Sequence, residues 1–214
     1  MTEGKRVVVL GGGGHAKVVI DILLAAGWSV VGYTDPTPVA GEEIAGIPCL
    51  GDDGVLPGLA AAGIPWAIVA LGDNQLRCRL AERALALGFD LANAVHPSAQ
   101  ISPRARLGRG IAVMPCAVVN AGSTIGDNTI LNTSSSVDHD CTIGRGVHIA
   151  PGVHLAGYIT VEDEALLGVG SAVGSGRPLC IGRRAVIGIG SVVLGDVPPG
   201  ATVVGIPARP LRKP

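Results

Sequence analysis

Between Asn132 and His154 the chain concentrates polar side chains suited to moving a proton: the run Asn132-Thr-Ser-Ser-Ser-Val-Asp138-His139-Asp140-Cys141, followed by His148 and His154. His139 is bracketed by two carboxylates, Asp138 and Asp140. A carboxylate beside an imidazole fixes its tautomer and stabilises its charged form, which is what a general base near neutral pH needs. The same residues would also make an ordinary surface ion pair, so their placement has to decide. A second cluster, Gly11-Gly12-Gly13-Gly14-His15, follows a short apolar run. Glycines there let the backbone approach an anion, and a helix N-terminus presents unpaired N–H groups, so a nucleoside diphosphate is the favoured guest. Gly11, Gly13 and Ala16 also satisfy a relaxed dinucleotide pattern with Asp35 further on, and a purely structural turn is the third reading. Asn74, in Leu71-Gly72-Asp73-Asn74, repeats the geometry and either meets ligand or caps the next helix.

The elements that must position these residues change character along the chain. From Val95 to Val173 an aliphatic residue falls on every sixth position, through Ile101, Leu107, Val113 and so on to Val161 and Leu167, fourteen in register. Small or β-branched residues such as Ser123, Thr129, Ser135 and Cys141 come four places after each. A six-residue period is the mark of a parallel β-helix, in which each hexad gives one short strand and one corner of a triangular coil. Neither the helical period of 3.6 nor strand alternation reproduces it. The frame breaks once, with Ile181 eight residues after Val173, so Ser175-Gly176-Arg177-Pro178 and their neighbours carry an insertion. Insertions in a solenoid fall on its outside, and this one is expected near a ligand groove.

Residues 1–94 read instead as alternating strands and helices: strand Arg6 to Leu10, helix His15 to Ala26, strand Ser29 to Tyr33, a short strand near Ile47 to Leu50, helix Asp53 to Ala62, strand Trp66 to Leu71 and helix Gln75 to Leu87. That order implies a small Rossmann-like parallel α/β sheet with ligand at the carboxyl ends of its strands. It lacks the second half of a full dinucleotide fold, so a single nucleotide diphosphate suits it better than NAD. The second domain is then 95–214.

Composition narrows the function classes. Only 2% of the 214 residues are aromatic and 33 are glycine, which suits the narrow interior of a β-helix. A formal charge of −1 with scattered charges gives no basic stripe, arguing against nucleic acid. Every apolar run is cut by Gly, Pro or a charge, so no membrane insertion is expected. Lys5-Arg6 and Val7 to Leu10 are too short for a signal peptide. Cys49, Cys78, Cys116, Cys141 and Cys180 form no CxxC pair and suit buried thiols in a reducing cytoplasm. A zinc site of the γ-class carbonic anhydrase kind needs a close histidine pair, whereas here His139, His148 and His154 are spaced by nine and six, so no metal is expected.

The glycine turn with His15, Asp35, Gly72-Asp73-Asn74, the hexads, Asn132 to Ile143, His148-Ile-Ala-Pro-Gly152 and the ending Gly205-Ile206-Pro207-Ala208-Arg209 together resemble the PglD/NeuD-type bacterial sugar O- and N-acetyltransferases. The resemblance covers almost the whole chain. It implies a left-handed parallel β-helix, a homotrimer with active sites between subunits, acetyl-CoA as co-substrate and a cytoplasmic location. The acceptor it implies is the amine of a nucleotide-linked 4-amino-4,6-dideoxy sugar, UDP-linked by family frequency and GDP-linked as the alternative. Carried over, His139 matches the catalytic base and Asp140 its orienting acid, where relatives often have Glu. His148 and Gly157 match positions near the thioester, with the Gly157 N–H as oxyanion donor. Gly205, Ile206, Pro207 and Arg209 match the region near distal CoA. Gly11, Gly13, Gly14, His15, Asp35 and Asn74 match the nucleotide-sugar region. Sugar O-acetylation and a non-enzymatic nucleotide-binding scaffold remain the rival readings.

Overall fold

The computed structural model describes residues 5–39, 41–174 and 176–211. The chain divides into two compact units, Met1–Pro97 and Ser98–Pro214. In the first, β1 (Arg6–Leu10), α1 (Gly14–Ala25), β2 (Ser29–Thr34), the hairpin of β3 (Glu43–Ile44) and β4 (Ile47–Pro48), α2 (Leu56–Ala61), β5 (Trp66–Val69), α3 (Asn74–Ala86) and β6 (Asp90–Leu91) follow in order. Four strands form one parallel sheet in the order β2-β1-β5-β6. From Val7 to Leu10, β1 is fully buried, as expected for a central parallel strand covered on both faces. Val8, Leu10, Leu56, Ala67, Val69, Ala81 and Phe89 share one core cluster. Helix α1 ends at a left-handed Gly27, whose N–H returns to the Leu24 carbonyl while Trp28 N–H returns to Leu23.

Two local expectations are corrected. The strand near Ile47 to Leu50 contracts to Ile47–Pro48, because its hairpin partner across the Ala45–Gly46 turn is only Glu43–Ile44, and Cys49 bridges Tyr33 instead. The helix Asp53 to Ala62 splits into a 3-10 turn at Asp53–Val55 and α2, since Pro57 has no N–H to bond the Asp53 carbonyl; the Leu56 N–H bonds it instead.

The second unit is a parallel β-solenoid of three sheets. One face stacks Gln100–Ile101, Val118–Val119, Ser136–Val137, His154–Leu155, Ala172–Val173 and Val192–Val193. A second runs from Arg106–Leu107 to Leu179–Ile181, and the third includes the strands from Ala112–Val113 to Thr202–Val204. Within each pair the second residue points inward: Ile125, Ile143, Val161 and Ile181 are buried while their neighbours Thr124 and Thr142 face out. The small residues of the hexads, Ala117, Ser123, Thr129, Ser135, Cys141 and Ser171, are buried too, because they fill the corners of a narrow prism. Successive coils align residues eighteen apart, Val118 on Ser136 on His154, until the insertion lengthens the step and Ala172 pairs with Val192. Ser175, part of the expected insertion, lies outside the described residues.

Candidate active site

His139 occupies the corner after strand Ser136–Val137. Its Nδ1 lies 2.9 Å from Asp140 Oδ2, with both side chains half exposed. An ionised Asp140 makes Nδ1 the protonated nitrogen and leaves the Nε2 lone pair free; Nε2 bonds no described residue. The corner is clamped from three sides. Asp138 Oδ1 accepts the His139 N–H at 2.8 Å and the Asn120 amide at 2.9 Å, and these two donors hold its carboxyl below the usual range, with Asn120 the larger cause. The buried Ser123 hydroxyl donates to the Asp138 carbonyl at 2.6 Å and accepts from the Cys141 N–H at 3.0 Å. Cys141 Sγ donates to the Ala156 carbonyl at 3.2 Å, and burial raises its thiol pKa, so it is a structural thiol and no nucleophile.

Room for the pair comes from glycines in the coils above and below. A Cβ on Gly157 would sit 2.6 Å from His139 Cε1 and 2.7 Å from Nε2, so the imidazole lies directly over that backbone. Gly122 clears Asp140 Oδ1 in the same way from below. The Gly157 N–H bonds no described acceptor. A cavity of about 410 Å³ is lined by His139, Ala156, Gly157, Tyr158, Gly176, Arg177 and Pro178, so the expected insertion does border the groove of the candidate base. It is tethered there by Arg177, 3.7 Å from Asp196.

The other sequence-predicted residues are distributed as follows. His148 lies on another face, in register with Ile130 and Leu166, and its Nε2 is 3.2 Å from the Asn132 amide; it does not line the His139 cavity. Gly205 donates to Ser191 Oγ, Ile206 is largely exposed, and Pro207 and Arg209 border a separate cavity of about 430 Å³. Among the described residues no group of His, Cys, Asp and Glu converges as a metal site would, and no helix is long and apolar enough to cross a membrane. The five cysteines are free thiols.

In the α/β unit, Gly11 takes φ 117° and Gly13 is the N-cap of α1 without a side-chain cap. Gly13 and Gly14 face open space, whereas a Cβ on Gly12 would lie 2.5 Å from Asp35 Oδ2. Asp35 therefore meets the glycine turn, where a carboxylate suits a hydroxyl or amino group better than a phosphate. His15, half buried, sits in the first turn of α1. The cap of α3 is Asp73, which accepts from Leu76 N–H; Asn74 Oδ1 instead accepts from Arg77. Arg77, buried so deeply that its pKa is pulled down to about 10, also donates to the Leu71 and Gly72 carbonyls and so holds this loop in shape.

Known proteins resemble this chain in sequence and fold. The PglD N-terminal domain family matches residues 6–84, and the bacterial transferase hexapeptide family, of six repeats, matches residues 122–157. The GDP-perosamine N-acetyltransferase of Escherichia coli O157:H7 is 32% identical over 148 residues, 68% of this chain and 67% of that protein. An asparagine-for-histidine mutant of perosamine N-acetyltransferase from Caulobacter crescentus, solved with CoA and GDP-perosamine, is 44% identical over 97% of each chain with a TM-score of 0.93. The chain belongs to the PglD/NeuD-type sugar acetyltransferase family. Another of its members, the acetyltransferase domain of PglB from Neisseria gonorrhoeae FA1090 in complex with acetyl coenzyme A, is 37% identical over 97% of this chain and all of that one, with a TM-score of 0.91.

Within this family member several site residues escaped sequence reading, Asn120, Gly122, Ser123 and Tyr158, while Arg177 was expected only as part of a loop near a ligand groove. The signal was present in the coil step. Adding eighteen to His139 and Asp140 gives Gly157 and Tyr158, and subtracting it gives Ala121 and Gly122. Only Arg177, on the insertion, has no such register.

Proposed function

We propose that this protein transfers the acetyl group of acetyl-CoA to the 4-amino group of a nucleotide-linked 4-amino-4,6-dideoxy sugar. The observation that carries this reading is the His139–Asp140 pair, with a free Nε2 beside the unpaired Gly157 N–H in one open cavity. The neutral amine attacks the thioester carbonyl, the new C–N bond forms, and His139 Nε2 takes the amine proton. Asp140 stabilises the resulting imidazolium, and the Gly157 N–H holds the oxyanion. As the C–S bond breaks, the imidazolium returns its proton to the departing thiolate. Acyl transfer is direct, because Cys141 is tied to carbonyls behind the corner.

GDP is the favoured nucleotide. Whole-chain likeness to proteins solved with GDP-perosamine supports GDP over UDP. The α/β unit would hold the nucleotide sugar through Gly11, Gly13, Gly14, His15 and Asp35, with Asn74 acting through Arg77 on the neighbouring loop. Gly205, Ile206, Pro207 and Arg209 would meet the far part of CoA. His148, which this chain turns away from its own His139, would serve the cavity of a neighbouring copy in a homotrimer, consistent with a site between subunits. Both substrates belong to cytoplasmic pools, and the cytoplasm is the proposed location.

Thiol release from acetyl-CoA with GDP- and UDP-linked 4-amino sugars tests the reading. Activity with GDP-perosamine, lost in His139→Asn while nucleotide-sugar binding persists, is the expected result. Release with hydroxyl acceptors alone would transfer the reading to O-acetylation.

A further inference from the structure

Tyr158 stands at a backbone position that does not suit it. The coil turns its corners through left-handed residues, and the other non-glycine corners of the solenoid carry Cys116, Asn128, Ser134, Asp140, Glu164 and Arg184; Tyr158, at φ 61°, is the aromatic one among the described corners. A large ring there is a strained choice, and such outliers gather at functional sites. Core packing does not account for it, since the residue is 55% exposed. Its surroundings do. Tyr158 lies one coil above Asp140, its N–H donates to the His139 carbonyl at 3.1 Å, and its ring stands edge-on to the imidazole, with centroids 5.1 Å apart and planes at 87°. The imidazole thus meets Asp140 at Nδ1, the Gly157 backbone against its face and the edge-on tyrosine ring at a further side.

We infer that Tyr158 is a positioning and specificity residue: its ring blocks the swing of the His139 imidazole out of line with the acceptor, and its exposed part walls the cavity where the amino sugar's pyranose lies. Aromatic faces suit the apolar C–H surface of a deoxy sugar, and Ala156 and Pro178 continue that apolar lining. The inference rests on the acetyl-transfer reading and deepens it.

The test exploits the strained corner. Glycine and asparagine accept left-handed φ more readily than tyrosine, so Tyr158→Gly and Tyr158→Asn should melt no lower than the natural protein. Their kcat/KM for GDP-perosamine should nevertheless fall by about tenfold or more, with the KM for acetyl-CoA within about twofold. Calorimetric titration of GDP-perosamine, without acetyl-CoA, should show weaker binding in both variants. Tyr158→Phe, which keeps the ring, should restore most of each loss. Unchanged kcat/KM and sugar affinity in the glycine variant would overturn the inference, as would a phenylalanine variant as impaired as glycine. If the natural protein transferred no acetyl group at all, the acetyl-transfer reading would fall, and the calorimetric comparison would still judge the sugar wall.

Discussion

The glycine turn of the α/β unit and the His139 corner of the solenoid are built on opposite plans. At Gly13 and Gly14 the chain offers bare backbone: nothing lies near a would-be Cβ at either, and the helix start has no side-chain cap. At the corner, polar side chains gather and the neighbouring coils are cut back to glycine to admit them, Gly122 below Asp140 and Gly157 above His139. The first plan suits an anion that needs only N–H groups and a dipole end. The second suits proton transfer, which needs one imidazole held in one orientation. Gly13 and Gly14 thus leave backbone open, whereas Gly122 and Gly157 seat a neighbouring side chain.

Substitutions can break that contrast. Replacing His139 with alanine is expected to have the largest effect, at least about 10²-fold in turnover with nucleotide-sugar affinity retained, read by thiol release and calorimetry. Gly157→Ala comes next. The added methyl would stand 2.6 Å from the imidazole, and the ring must leave its seat, so turnover should fall about tenfold or more while melting changes little. A turnover near that of the natural protein would mean that the imidazole does not depend on this seat.

Within the glycine turn the same change should divide the positions by stability. Gly12→Ala meets Asp35 and the Tyr33 ring and should cost about 1–3 kcal/mol in denaturant unfolding. Gly13→Ala and Gly14→Ala meet no protein atom and should unfold almost as the natural protein does, so any loss of nucleotide-sugar affinity in them reports on the ligand alone. Equal destabilisation at all three would erase the distinction between open and occupied glycines.

The smallest effect concerns pH. Asp138 has its carboxyl pKa lowered in the folded state by the Asn120 amide and the His139 N–H. A group with a depressed folded pKa contributes stability that is fully present above its unfolded value and lost as pH falls through the folded one. Asp138→Asn should therefore lower stability slightly near neutrality, lose nothing at low pH, and so flatten the acid side of the stability curve. Thermal melts between about pH 3 and pH 7 would show it.

Much of this molecule was legible from residue order. The six-residue period implied stacked coils, and the insertion after Val173 implied an external loop, because an eight-residue step cannot remain in a six-residue frame. His139 and Asp140 were legible as a pair because adjacency in sequence put the carboxylate within reach. The fate of Asn74 was not: Asp73 caps α3, while Asn74 faces Arg77, and both positions carry cap-forming side chains that local pattern cannot separate. The break in the helix from Asp53 is marked in the sequence by Pro57, which also suits the first turn of a helix and so does not by itself divide one.

What the sequence alone determined is local: the coil, its aliphatic interior, the parallel α/β order and the adjacency of His139 and Asp140. Tertiary structure decided what depends on contacts eighteen residues apart or more: that the Gly157 backbone seats the His139 imidazole, that the Tyr158 ring stands edge-on to it, and that His148 turns to another face. Burial and backbone period are properties of short stretches and show in composition. The clearance beside an imidazole is a property of three stacked coils, and it exists only once they are stacked.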